Sequence, residues 1–468
     1  MKKMLSVTLA AAMALSLAGC GGGSSKDSTG TTAAPASGET KAAGDATTAA
    51  EAGDAGNGAA DAGDKEPVTI TFWHRDGNTT SNPIYAEVIK KFQEKYPWIT
   101  VEYTGLASDS YTQKFNTAVV TDSTPDVGTI SDKDLYALVA QDALMQLDES
   151  FNAWEEKDWI LPNIIEQSRF YAQDDNLYIL GYGKTQETSW YNTKWHEEKG
   201  IEPVKTIAEL RKNCEDYAED GKYYFSLRGG SGSAENLFMF MLSYGGEKSF
   251  FNEDGTSTLN KPKVVEGLDF YANLYKDGLV SHDAISNGYR EMVAEFGAGT
   301  AQYIMHNSSS VSEHTKNLGE GNFLPIAPMA GEDGIAVCKA PTFMGSVVFK
   351  NTEHPEEAIL FAQYLASAEG AGYVDQNEGR VPVNTGVYEQ DWYKDNVYFQ
   401  TYAEFEAEGS NVVFAQFPIY LEGYAEYAAN DVVAGLQAVM MGEKTAQEVC
   451  DTWAADLTKL QQDWMAGK

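Results

Sequence analysis

The sequence predicts an α/β protein built as two lobes, and three observations predict it. Strand-like and helix-like segments alternate from Val68 onward, the signature of a mainly parallel sheet with helices on its faces. The alternation restarts after about residue 184. Roughly 400 residues, Pro67 to Lys468, carry this pattern, too many for one small core.

The first strand is Val68-Thr-Ile-Thr-Phe-Trp73, apolar at every second position. Asn82-Pro83 reads as an N-cap with a first-turn proline. The helix that follows carries Ile84, Val88, Phe92 and Tyr96 at four-residue spacing, and Pro97 ends it. Ile99, Val101 and Tyr103 alternate as a second strand, and Tyr111 to Val120 reads as helix. Pro125 to Ile130 is a short buried strand. Ser131 is placed to cap the next helix, with Asp134 three residues on.

In the second half, Thr206-Ile-Ala-Glu209 is a capping box opening a helix that Gly221 closes. Tyr223 to Leu227 reads as strand. The loop Arg228-Gly-Gly-Ser-Gly-Ser233 then feeds a helix over 234–243. Val264 to Tyr275 is helix and Ala301 to Met305 strand. Phe343 to Phe349 is a strand leading to a helix over 355–365. Thr445-Ala-Gln-Glu448 is a second capping box, starting a terminal helix with Val449, Trp453, Leu457 and Leu460 inward.

The N-terminus predicts location. Lys2 and Lys3 precede an apolar run from Met4 to Ala18, followed by Gly19 and Cys20. A basic start, a short apolar run and small residues before a cut make a secretory signal, too short to span a bilayer comfortably. Leu17-Ala18-Gly19-Cys20 resembles a bacterial lipobox, which implies cleavage after residue 19 and a lipid on Cys20. From Gly21 to Glu66 there is no Val, Ile, Leu, Met, Phe, Trp or Tyr. Such a segment cannot offset its chain entropy by burial and is expected to be a disordered tether. Its ~46 residues would span about 40 Å on average.

Composition excludes several functions. The formal net charge is −35, from 69 acids and 34 bases. Such a surface repels nucleic acid and anionic lipid, so no nucleic-acid partner is expected and the membrane is met through the lipid alone. With Cys20 set aside, Cys214, Cys338 and Cys450 are odd in number and widely spaced, which is no disulfide framework. Cys214 shares an apolar stripe with Ile207, Leu210 and Tyr217 and reads as a buried thiol. There is no G-x-S-x-G elbow, no H-E-x-x-H, and no lysine after Gly229-Gly230-x-Gly232 to grip phosphate. No cofactor or metal is expected, and the chain reads as a binder rather than an enzyme.

The aromatic content carries more. The chain has 26 Tyr, 20 Phe and 9 Trp, several beside polar residues at strand ends: Phe72-Trp73-His74, Tyr182, Trp190-Tyr191 and Phe343. A sugar offers an apolar C–H face and a rim of hydroxyls, so its site wants a flat ring and a few polar groups. Trp73 stands at the carboxyl end of the first strand, where open α/β sheets place ligands.

Six segments, in this order, carry a resemblance. They are Thr69-Ile-Thr-Phe-Trp73, Phe92-Gln-Glu-Lys-Tyr-Pro97, Pro125-Asp-Val127, Trp190-Tyr-Asn192, Ala301-Gln-Tyr-Ile-Met305 and Asn351 to Ala358. Together, behind a lipobox and tether, they resemble the extracellular solute-binding proteins of bacterial ABC importers, in the group that includes carbohydrate binders. The resemblance implies a type II periplasmic-binding-protein-like fold, a ligand cleft between two lobes joined by a hinge. Crossovers are expected near 181–185, 342–347 and 380–385. Lobe one is then 67–183 plus 345–383, and lobe two 184–344 plus 384–468.

The same resemblance implies a monomer, lipid-anchored on the extracytoplasmic face of the cell membrane, which closes on a carbohydrate, an oligosaccharide, and delivers it to an ABC permease. By position it implies ligand contacts from Trp73, His74 and Asp76, from Ser131 and Asp132, and from Tyr182, Lys184 and Thr185. It adds Arg228, Gly230 and Ser231, then His306, Asn307 and Ser308, then Phe343 and Gly345, and Arg380. Trp73 and Phe343 would stack on the sugar, while Asp76, Asp132 and Arg228 would bond its hydroxyls. One departure is visible: where relatives often read Ile-Asn-Gly-Ser-Trp, this chain has Met305-His-Asn-Ser-Ser309. Tyr420 is a candidate replacement for the missing ring. Two other readings stay open: the same fold on a non-sugar solute (glycerol phosphate, a polyamine or a metal chelate), with His74, Lys184, Arg228 and Arg380 as an anion clamp, or a surface glycoside hydrolase.

Overall fold

A computed structural model describes residues 65–219 and 221–467. The signal peptide, Cys20 and the tether as far as residue 64 lie outside the described residues. The strands are β1 (Val68–Arg75), β2 (Ile99–Leu106), β3 (Val127–Ser131), β4 (Leu180–Thr185), β5 (Glu187–Asn192), β6 (Tyr223–Phe225), β7 (Ala301–Asn307), β8 (Phe323–Ile326), β9 (Ala336–Lys339), β10 (Thr342–Val348), β11 (Val381–Pro382) and β12 (Val412–Ala415).

Six of them form one sheet in the order β11-β4-β10-β3-β1-β2. β1 runs parallel to β2 and β3, whereas β10 is antiparallel to β3 and β4, and β11 antiparallel to β4. The sheet is therefore mixed, which corrects the mainly parallel expectation. The reason is that β10 and β11 enter from outside the local strand–helix–strand units. A second sheet has the order β6-β7-β5-β8, and β9 pairs β12 in parallel. Gln186 alone separates β4 in the first sheet from β5 in the second, and Ala340-Pro341 separate β9 from β10.

Alternation along β1 sends Ile70, Phe72 and His74 to one face of the first sheet. There they meet Tyr85, Val88 and Phe92 of the helix Ser81–Lys95 and Phe361 and Leu365 of the helix Pro355–Ala366. The other face packs Phe115, Ile130, Ile164, Phe343 and Val347. The second sheet lies between two further cores. One gathers Leu237, Phe238, Leu268, Tyr271, Leu436, Val439, Trp453 and Leu457. The other holds Trp190, Phe296, Ile304, Phe323, Tyr393 and Tyr402.

Both capping boxes are present, at Thr206/Glu209 and Thr445/Glu448. Two other caps differ. The helix Ser81–Lys95 starts one residue before Asn82, and Asn78 Oδ1 accepts from the backbone N–H of Thr80 and Ser81 instead. Ser131 makes no cap: its hydroxyl donates to Asp132 Oδ1, and a short 3-10 turn, Asp132–Asp134, precedes the expected helix, Leu135–Ala140. The first-box helix ends at Tyr217, before Gly221. Cys214, Cys338 and Cys450 are buried and unpaired, and burial pushes the thiols of Cys214 and Cys450 up to about 12.

Candidate binding cavity at the passage between the sheets

A cavity of about 610 Å³ opens where β4 leaves the first sheet. Lys184 and Thr185, the last residues of β4, form one wall. The turn after β7 forms a second with Ser308, Ser309 and Ser312. Ser308 is clipped to the passage itself: its N–H donates to Gln186 O (2.8 Å), and its hydroxyl accepts from Gln186 N–H (3.2 Å). Gln376, Glu378 and Arg380, at the end of the helix Ala368–Glu378, form the third wall. That helix stops at Gly379, whose φ of 70° is the left-handed cap that favours glycine. The fourth wall is aromatic: Trp392, then Tyr398, Phe399 and Tyr402 on the helix Val397–Glu406, with Asn396 at its N-cap.

Each cation on the cavity has its own carboxylate. The ammonium of Lys184, fully buried, is ion-paired with Glu406, which also accepts from Asn163 Nδ2 (3.1 Å). Arg380 Nε donates to Glu378 Oε2 (2.7 Å). Burial acts to lower the Arg380 value, but Tyr182, Glu378 and Tyr85 outweigh it, so the guanidinium stays charged. Behind it, burial pushes the Asp375 carboxyl well above the carboxylate range.

Trp392 is held in orientation. Its indole N–H donates to Gln390 Oε1 (2.6 Å), and Gln390 Nε2 donates to Ala368 O (2.7 Å). Tyr393 and Phe399 meet the indole at 80° and 84°. Tyr398 lies flat on Phe323, 5.4 Å away at 15°. Fixed rings beside hydroxyls, amides and compensated charges can bind a polar, uncharged solute. Among the described residues no group of His, Cys, Asp and Glu is placed to hold a metal ion.

The structure brings Lys184, Thr185, Ser308 and Arg380 together on this cavity and turns other expected contacts inward. His74 is 1 % exposed, with its ring 3.6 Å from that of Tyr85 and Nδ1 3.2 Å from the Tyr103 hydroxyl. Burial, then the Arg380 charge, pushes its imidazole down to about 3. Tyr182 is buried with its hydroxyl bonded to that of Tyr85 (2.8 Å). Phe343 has no exposure and fills the core against Gly181, so the expectation that it stacks on ligand is corrected. Gly345 is a packing glycine, because a Cβ there would strike Ile179. Ser131 and Asp132 are buried too. Asp132 accepts from the Ser131 hydroxyl, Lys133 N–H and Gln167 Nε2 (2.6 Å), and burial pushes its carboxyl up to about 6. Asp132 therefore holds Gln167, whose Nε2 also donates to Pro341 O, instead of meeting a hydroxyl.

Three groups stand apart from the cavity. Trp73 is half-buried with its ring edge-on to Phe115, and Asp76 lies 3.5 Å from Arg75 Nε. Arg228, Gly230 and Ser231 form a loop docked on residues 284–287, where Gly229 N–H donates to Ala284 O and Gly230 N–H to Asn287 O. A Cβ on Gly229 would sit 2.6 Å from Ala284 O, so that glycine serves a close backbone approach and not phosphate. Arg228 Nε donates to Ser231 O. His306 stacks on Tyr289 at 4.6 Å and is pushed down to about 4 by burial and then by the Arg228 charge. Asn307 reaches Glu187, part of a triad in which the buried Lys339 Nζ lies 2.8 Å from the half-buried Glu235 and 3.5 Å from the buried Glu187. Tyr420 bonds Gln461 and packs on Phe170 and Trp464, so it replaces no ring at Ser309.

Gln376, Glu378, Trp392, Asn396 and Tyr398 were not legible as site residues. The available signal was the density of rings from Tyr388 to Phe405, which periodicity alone assigns to a core.

Residues 76–372 match the family model of the bacterial extracellular solute-binding protein. A protein of Brucella abortus (strain 2308), provisionally named a binding protein, is 25% identical over 408 residues, covering 85% of this chain and 93% of the relative. Two solved structures share the fold. The sugar-binding protein MalE of Xanthomonas citri has a TM-score of 0.72 at 16% identity, covering 86% of this chain and 100% of that one. An ABC transporter solute-binding protein of Thermotoga lettingae TMO, bound with α-D-tagatose, has a TM-score of 0.64 at 20% identity, covering 84% and 99%.

Proposed function

The chain belongs to the bacterial extracellular solute-binding proteins, a family of binders and not enzymes, and from that premise we propose that it captures a carbohydrate, an oligosaccharide, for an ABC importer. The observation that carries the reading is the cavity at the β4–β5 passage, lined by one fixed indole together with hydroxyl and amide groups and no uncompensated charge. Thr185, Ser308, Gln376 and Asn396 bond hydroxyls, and Trp392 takes a sugar face. The walls come from both sheets, so a ligand touching all of them favours the closed arrangement. The sugars in the names of the two structural relatives support this solute class. Lobe one is 67–183 plus 345–383 and lobe two 184–344 plus 384–468, with Cys20 lipidated at the extracytoplasmic membrane face and the loaded monomer docking on a permease.

Thermal unfolding of the full chain against maltose-, cellulose- and xylan-derived oligosaccharides tests the reading. A ligand at 100 times its Kd stabilises by about 2.7 kcal/mol. A rise with one glycan series supports the proposal, and no rise with any sugar beside a rise with glycerol phosphate or spermidine overturns the solute. Palmitate labelling that survives Cys20→Ala would overturn the anchor.

A further inference from the structure

Resting on that reading, we propose that Glu378 and Glu406 make the cavity selective for neutral glycans and exclude glycans bearing a carboxylate or phosphate. Two cations line the cavity, Lys184 and Arg380, and each is already matched: Lys184 by Glu406, Arg380 by Glu378. Both pairs are largely shielded from water, with side-chain exposures of 0 % and 10 % for the first and 22 % and 11 % for the second. An anionic ligand would have to take a cation from its partner and leave a carboxylate desolvated and unpaired, which is costly. It would also approach a chain of net charge −35.

A neutral sugar meets no such cost. The Arg380–Glu378 bond engages Nε and Oε2. It leaves the guanidinium's Nη donors and the Oε1 acceptor outside that bond. A hydroxyl both donates and accepts, so it can bridge the two ends of the pair without separating them. The pair thus presents both hydrogen-bonding senses at zero net charge. Selectivity of this kind comes from the element that repels the wrong ligand as much as from contacts to the right one.

The test is calorimetry of the full chain with matched trisaccharides of the maltose, cellulose and xylan series, each neutral and with one carboxylate, and with glycerol 3-phosphate. The wild type is expected to bind one neutral series and its carboxylate counterpart at least about tenfold more weakly. Glu378→Gln should narrow that ratio about tenfold, chiefly by tightening the anionic sugar, because Arg380 loses its counter-charge. Glu378→Asp, which keeps the charge, should retain discrimination. A near-wild-type melting temperature for both variants establishes that they are folded. Equal binding of neutral and acidic sugars by the wild type, or an unchanged ratio in Glu378→Gln, overturns this inference and leaves the carbohydrate reading standing. Binding of glycerol 3-phosphate with no binding of any sugar overturns both.

Discussion

At the residue scale, similar aromatic side chains serve opposite ends. Trp392 and Phe343 are both large rings near the passage between the sheets, but one borders the cavity and the other has no exposure. Trp392→Ala is expected to weaken sugar binding by roughly 1–3 kcal/mol, the range for an anchoring aromatic. Calorimetry beside an unchanged melting curve would show it, and undiminished affinity would show that the sugar lies elsewhere. Phe343→Ala is expected to do the reverse, lowering stability by about 3–5 kcal/mol through the cavity it leaves. Denaturant unfolding measures the loss, and a stable variant with impaired binding would restore Phe343 to the site. Sequence distinguishes the two poorly, because a strand-end phenylalanine beside polar residues looks like a ligand contact until its neighbours are known. The backbone at Gly181 gives the ring its slot, and that pairing is 162 residues long-range.

At the element scale, local signals read best where one turn contains the whole interaction. Both capping boxes were legible because donor and acceptor lie three residues apart. Thr445→Ala should cost about 1 kcal/mol by exposing the first turn of the helix Ala446–Ala466. A shift in the urea midpoint at constant slope checks this. Ser131 carried the same local signal and makes no cap, because a tertiary partner, the Asp132–Gln167 contact, organises its turn. The helices Asp391–Lys394 and Val397–Glu406 were missed altogether. In the second, Tyr398, Phe399, Tyr402 and Phe405 share one side opposite the exposed Gln400 and Glu404, but the helix is only 10 residues long and its ringed side packs on the second sheet and borders the cavity at once.

At the scale of the whole molecule, buried ionisable groups set a pH response. His74, His306 and His314 are pushed down to about 3, 4 and 3, in each case first by burial. The unfolded chain protonates them near 6.5 and the folded chain does not, so between 6.5 and 4 the unfolded state binds more protons and stability falls with pH. Asp132, raised to about 6, acts in the opposite sense, as the folded chain takes up its proton first. Asp375 and Glu187, likewise raised by burial, act with Asp132, while His196, lowered by burial, acts with the other histidines. A net loss of stability is expected from pH 6.5 to 4, read by urea unfolding. A flat profile would show that these histidines reach water. On the ligand side, small-angle scattering should show compaction when sugar bridges the walls of the cavity, and an unchanged scattering profile with bound sugar would refute closure.

What the sequence by itself determined is what short-range chemistry encodes: an α/β chain, its helix starts at Thr206 and Thr445, the β1 alternation, and, through ordered segments, membership of a solute-binding family. The tertiary structure decided which polar residues meet. Lys184 and Glu406 are 222 positions apart, and Ser308 and Gln186 122. Such pairs leave no local trace, because the free energy that joins them comes from desolvation and pairing between strands and helices brought together only by the assembled sheets. For the same reason the sequence marked Lys184 and Arg380 as cations for an anion clamp, and only the fold shows them neutralised by their own carboxylates.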